Sequence, residues 1–297
     1  MVSDNFSSFH PAISFFYFVL VIGCSMFVMH PVFLGISCVS GFLYYLYLKQ
    51  WKAVKTALWL MLPVFLVSAA VNPLFNHEGV TLICYFGTGN PLTLESIVYG
   101  FASGVMLVTV LNWFSCYQSV MTSDKFIYLF GKIIPALSLI LSMVLRFVPK
   151  FKLQIQKVCE SQKCIGRDVT YGNVWQRARH GMRILSIMLT WALENSVETA
   201  DSMRSRGYGL RGRNNFSIYR FDTRDKTMLG ILTGLSIVVF TGILTKQVRF
   251  LYYPMLKMNE MTPFVWIVYI FYGILCFIPL ITDWIEDIKW HYLKSRI

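Results

Sequence analysis

Ser205, Arg206 and Gly207 have types and an order that could grip an acidic partner. A small residue lets a partner backbone approach, a guanidinium forks onto a carboxylate, and a glycine takes the left-handed conformation that stops a helix. Met203 and Tyr208 would flank such a tip with adaptable apolar contact, and Arg204 adds a second cation. A basic last turn also compensates the helix dipole without any partner, and periodicity alone supports both readings. A second glycine stop occurs upstream at Cys164, Ile165, Gly166 and Arg167, where the arginine follows the glycine instead of preceding it.

Other chemistry finds no residues to carry it. His10, His30, His77, His180 and His291 are scattered, so no metal cluster is expected. Of seven cysteines, Cys24, Cys38, Cys116 and Cys276 lie in apolar runs, where a thiol acts as a small hydrophobe. Cys159 and Cys164 lack a second pair or a nearby histidine, so neither a zinc site nor a disulfide framework is expected. Asp283, Glu286 and Asp287 are the dense carboxylates, at helix-exit spacing and without a nucleophile, which argues against an enzyme. The turn cluster at 86–91 lacks the Gly-Lys-Ser/Thr ending of a phosphate-binding loop.

The elements that must position the tips are apolar. Apolar residues make up 56% of 297 residues, charged residues 14%, and mean hydropathy is +0.55, which excludes an ordinary soluble domain. The net charge of +12 is gathered between and after apolar runs, as in cytoplasmic loops of membrane proteins and unlike a nucleic-acid-binding face. Runs near spanning length cover 11–29, 31–48, 57–75, 96–117, 227–244 and 263–281, giving six spans, or five if the first two form one irregular unit around His30-Pro31. The stretch 126–148 is broken by Lys132 and Pro135, and its short apolar core fits a helix at the membrane edge. If it does not cross, the basic loop 49–55 and the basic segment after Lys150 share the cytoplasmic side, together with both termini. The loop 246–262 is then outside despite Lys246, Arg249 and Lys257. The first run has no basic leader or small-residue cleavage site and is expected to be retained.

The chain is therefore expected to be an all-α polytopic membrane protein of about six transmembrane helices. Residues 1–120 hold four helices, 121–226 a cytoplasmic domain of long amphipathic helices, and 227–297 two further helices with a basic tail. Ile140, Met143, Val144, Phe147, Phe151, Ile155 and Val158 predict one helix that passes Pro149 and stops at Gly166. Asn173 is the expected N-cap of a second helix, whose stripe runs through Trp175, Met182, Leu185, Met188, Leu189, Leu193 and Val197 to a stop at Gly207.

At these residues the sequence resembles the transmembrane T component of energy-coupling factor transporters, the EcfT- and CbiQ-like family that includes cobalt-transport permeases. Arg146-Phe147-Val148-Pro149 is similar to the family's Arg-x-x-Pro on a long cytoplasmic helix. The helix end 200–208 is similar to its Ala-Arg-Gly tip, with Ser205 in the alanine place, and 122–125 to its first coupling segment. The other tip departs from the pattern: Cys164-Ile165-Gly166 lacks the arginine, and Arg167 offers a charge one residue later. The resemblance implies a subunit without catalysis, in a bacterial-type plasma membrane. Two ATP-binding-cassette ATPases would hold the tips and bind ATP and magnesium, and a small membrane subunit would bind a vitamin or transition-metal ion. This chain would itself bind no cofactor. A stand-alone permease or a basic membrane-surface adaptor, for which lipid alone suffices as partner, is the alternative.

Overall fold

In the computed structural model, residues 5–49, 51–85, 91–131, 134–208, 219–259 and 261–294 are described. They form helices α1 (Pro11–Phe27), α2 (Pro31–Leu48), α3 (Trp51–Phe75), α4 (Leu94–Val120), α5 (Ser123–Gly131), α6 (Pro135–Cys164), α7 (Val174–Ser205), α8 (Thr223–Leu244) and α9 (Pro263–Lys294). A 3-10 turn, Phe6–Ser8, precedes α1. Antiparallel hairpins pair β1 (Leu82–Tyr85) with β2 (Pro91–Thr93) and β3 (Phe250–Leu251) with β4 (Lys257–Met258). Residues 86–90 of the turn read at 86–91 lie outside the described residues, as do Lys132, Arg211 and Arg213.

The protein is an all-α multi-pass membrane protein. Helices α2, α4, α8 and α9 are long and apolar enough to cross a bilayer, and Pro11–Phe27 and Trp59–Phe75 are shorter apolar helices. These are the six runs read from the sequence. The first two are separate helices because each opens on a His-Pro pair. The imidazole Nδ1 of His10 accepts the Ala12 N–H at 3.2 Å, and that of His30 accepts the Val32 N–H at 3.3 Å. Proline at the first helical position forfeits only an N–H that the helix leaves unpaired anyway. Histidine here does the work usually done by serine or aspartate.

The chain divides into two units: Met1–Phe126 with Tyr219–Ile297, and Ile127–Ile218. In the first, α1, α2, α4, α8 and α9 contribute to one core around Tyr17, Phe33, Trp113, Leu232 and Tyr272. Helices in hydrocarbon gain little from the hydrophobic effect, so close packing and hydrogen bonds must hold them together. Trp113 Nε1 donates to Ser37 Oγ at 2.9 Å, and Ser25 Oγ lies 2.6 Å from the same hydroxyl. Tyr17 donates to the Cys276 carbonyl at 3.1 Å. On the other side of α4, a Cβ on Gly100 would stand 2.5 Å from the Ala69 carbonyl oxygen, and one on Gly104 would stand 2.9 Å from the Phe65 ring. Two glycines four residues apart thus let α3 and α4 touch backbone to backbone.

In the second unit α6 and α7 have 30 and 32 residues, each roughly 45–48 Å long. Helix α6 runs through Pro149, as its periodicity predicts. The two helices pack through Phe151 on Trp191, with ring centroids 5.2 Å apart, and through Lys150 Nζ donating to Asn195 Oδ1 at 2.8 Å. Ile184 and Met188 are buried, whereas Trp175, Met182, Leu185, Leu189, Leu193 and Val197 stay exposed. The single stripe read from the sequence is therefore two faces: Met188 belongs to the buried one and the other positions face outward.

Candidate functional site: two helix tips

Both long helices end in the same backbone motif. At α7 the Gly207 N–H donates to the Arg204 carbonyl at 3.0 Å and the Tyr208 N–H to that of Met203 at 3.1 Å, with Gly207 at φ +73°. At α6 the Gly166 N–H donates to the Lys163 carbonyl at 2.9 Å and the Arg167 N–H to that of Gln162 at 3.0 Å, with Gly166 at φ +78°. These paired bonds around a left-handed residue define the Schellman cap, which satisfies carbonyls the helix would otherwise leave bare.

The shared geometry fixes which residues correspond. Arg206 and Ile165 both occupy the C-cap, with φ and ψ of −84° and 5° and of −91° and 7°. Tyr208 corresponds to Arg167, so Arg167 lies one place past the position that Arg206 holds. Arg206, Ser205, Arg204, Cys164 and Ile165 are all exposed, and Met203 is half-buried. At 65% exposure Ile165 is an apolar side chain presented outward on a helix end, where the dipole favours a cation. The Ser205 hydroxyl donates back to the Ser202 carbonyl at 2.9 Å, so its value at the tip is small size. Arg146 and Pro149, one turn apart on α6, are both exposed.

The connection from the α6 tip to the start of α7 carries order that the sequence reading missed. Asp168 Oδ1 accepts the Thr170 N–H at 3.0 Å, and Lys163 Nζ lies 3.7 Å from Asp168 Oδ2. The Thr170 hydrogen bonds, with the Lys163 charge as a lesser cause, hold the Asp168 carboxyl below its ordinary range. Asn173 caps α7 as expected, its Oδ1 accepting the Val174 N–H at 3.0 Å while its own N–H donates to Gln176 Oε1 at 3.3 Å. Arg177 Nε donates to the Val169 carbonyl at 2.8 Å. The available signal was Asp168-Val169-Thr170, an aspartate two residues before the N–H it accepts.

Gly207→Ala tests the α7 cap directly. An L-residue held at a left-handed φ costs about 1–2 kcal/mol, so hydrogen exchange at the Tyr208 amide should rise roughly tenfold. Peptide-level exchange over 199–208 measures it, and unchanged protection would show that the cap does not depend on glycine.

A polytopic membrane protein with two Schellman-capped amphipathic helices is thus the class that fold and site define. No family model matches the chain. It is similar to an uncharacterized protein of Mycoplasma pneumoniae, 26% identical over 171 residues, 54% of this chain and 39% of that protein. It is also similar to the energy-coupling factor transporter transmembrane protein EcfT of Lacticaseibacillus paracasei, 32% identical over 107 residues, 35% of this chain and 40% of that protein. A third relative is the energy-coupling factor transporter transmembrane protein EcfT 1 of Listeria monocytogenes, 26% identical over 189 residues, 59% of this chain and 67% of that protein. The chain spans about two fifths of the length of the first two relatives. The likeness to T components read from the sequence is therefore matched by relatives that carry the EcfT name.

Proposed function

We propose that this chain is the energy-coupling transmembrane subunit of an energy-coupling factor importer. Two cytoplasmic ATP-binding-cassette subunits grip the tips of α6 and α7, and their ATP-driven closure moves these helices. The motion passes to a separate small membrane subunit that binds a vitamin or a transition-metal ion. ATP and magnesium belong to the ATPase subunits, and this chain contributes no catalytic residue. Both termini face the cytoplasm in this reading.

The observation that carries the proposal is the pair of identical caps on two long helices. A lever must be stiff, and its end must not fray under load. A helix end with its carbonyls satisfied and its last side chains turned outward meets both needs. The distribution of buried charge supports a coupling subunit over a stand-alone permease. Among the described residues the buried charged side chains are Glu95, Lys125, Asp225 and Asp283. Glu95 and Asp225 lie in the first turns of α4 and α8, Lys125 is in the short α5, and Asp283 lies past the apolar run of α9. None sits at mid-span, where a solute or proton pathway would need it.

The test is affinity purification of the tagged chain from its native membranes in mild detergent. ATP-binding-cassette subunits are expected to co-purify, with ATP hydrolysis in the purified fraction. A preparation that retains no ATPase while the chain stays folded overturns the reading and favours the permease.

A further inference from the structure

The buried charges of the first unit, Glu95 apart, converge on one short piece of chain. Asp283, fully buried on α9, accepts the N–H groups of Asn5 and Phe6 through Oδ1 at 2.9 and 3.1 Å. Lys125, 7% exposed, donates from Nζ to the Ser7 carbonyl at 2.6 Å and to the Val120 carbonyl at 2.9 Å. Asp225 on α8 accepts the His10 N–H on Oδ1 at 3.2 Å and the Asp222 N–H on Oδ2 at 3.1 Å. Its neighbour Arg224 donates to Ser8 Oγ at 3.1 Å, pairs with Glu286 at 2.9 Å and lies 4.1 Å over the Phe9 ring. The His10 and Phe221 rings are 4.8 Å apart.

Segment 5–10 therefore offers its backbone to charged groups from α5, α8 and α9 and turns Phe6 and Phe9 into the core. A buried ammonium or carboxylate is costly unless hydrogen-bonded, and charge-assisted bonds are the strong ones. Segment and charges consequently need each other. Their place in the chain adds the consequence. The chain leaves the first unit after Phe126 and re-enters it at Tyr219. Lys125 lies one residue before the exit, and Phe221, Arg224 and Asp225 lie just after the return. Burial and, second, the Asp124 charge push the Tyr219 phenol above its ordinary pKa.

We propose that residues 5–10 form a clasp that binds the outgoing strand, the returning strand and α9 into one anchor for the inserted unit. Opening it at either strand loosens both. The inference rests on the first unit alone and holds whatever the helix tips bind.

The test is hydrogen exchange on the full chain in detergent, followed over 5–18, 120–131 and 219–228, with the α2 core as control. Lys125→Met is expected to raise exchange at least tenfold over 120–131 and over 219–228, although none of the bonds above joins Lys125 to α8. A rise confined to 120–131 overturns the clasp. If α2 also loses protection, the milder Arg224→Gln decides. The clasp then requires at least a threefold rise over 120–131 with α2 unchanged, and no change there overturns it.

Discussion

Arg206→Glu is expected to strip ATP-binding-cassette subunits from the purified chain while leaving its fold intact. Arg206 is exposed at the C-cap of α7, and the bonds of the Schellman cap run between main-chain groups. Replacing it should keep the main-chain cap and would reverse the charge presented to the carboxylate-bearing groove that the proposed function calls for. Removing one partner of a buried, hydrogen-bonded charge pair costs about 2–5 kcal/mol, which is roughly 30- to 5,000-fold in affinity. Reversal adds repulsion, so retention through detergent washing should be lost. Arg206→Lys keeps the charge without the planar fork and should fall between. At the other tip Ile165→Ala removes only apolar contact, so its effect should be smaller than that of Arg206→Glu. The check is quantitative co-purification, with far-ultraviolet circular dichroism to confirm helix content. Full retention by Arg206→Glu removes Arg206 from the contact, and a larger loss at Ile165→Ala reverses the order of the tips.

Both tips were legible because a glycine that stops a helix leaves a local trace. The apolar period ends, a glycine follows, and Gly166 and Gly207 are where the left-handed residues stand. The six apolar helices were legible for a similar reason, since a span is a run of one character with turn residues at its ends. What was lost was whatever depends on two distant pieces meeting. Periodicity marked Met188 with Leu185 and Leu189, but only the packing of α6 against α7 separates the buried position from the exposed ones. Asp283 and Glu286 read as a helix exit. That Asp283 holds the backbone of residues 5 and 6 could not be seen, because 277 or more residues separate the partners. Histidine as an N-cap was missed as well, since capping preferences point first to serine, threonine, aspartate and asparagine. The alignment of Ile165 with Arg206 also needed the main-chain bonds. In the sequence Arg167 looked like a displaced substitute, and the shared cap places it opposite Tyr208 instead.

Trp113→Ala is expected to be the most damaging single change in the membrane unit. The indole is fully buried among Tyr17, Phe18 and Tyr44, and it donates to Ser37 Oγ. Emptying such a site costs about 3–5 kcal/mol where the surroundings relax only partly. Relaxation is limited here, because Gly41 already brings the α2 backbone against the indole, where a Cβ would stand 3.0 Å from Nε1. Trp113→Phe separates packing from hydrogen bonding. It keeps most of the ring volume and removes the donor, and interhelical hydrogen bonds in membranes average only about 0.6 kcal/mol, so the Phe variant should lose well under half as much. The protein carries its own reporters: Cys24, Cys116 and Cys276 are buried thiols, none in a disulfide, of the same core. Heating in the presence of a thiol-reactive fluorophore should show their exposure at a much lower temperature for Trp113→Ala than for Trp113→Phe. Equal midpoints for the two would mean that the hydrogen bond to Ser37, and not the packed ring, holds α4 to α2. The coupling role proposed above would ask for a rigid core in this unit. If α2 and α4 yielded under load, force applied at the helix tips would be absorbed before it reached a membrane partner. Trp113→Ala should therefore uncouple ATP hydrolysis from uptake even at temperatures where the chain remains folded.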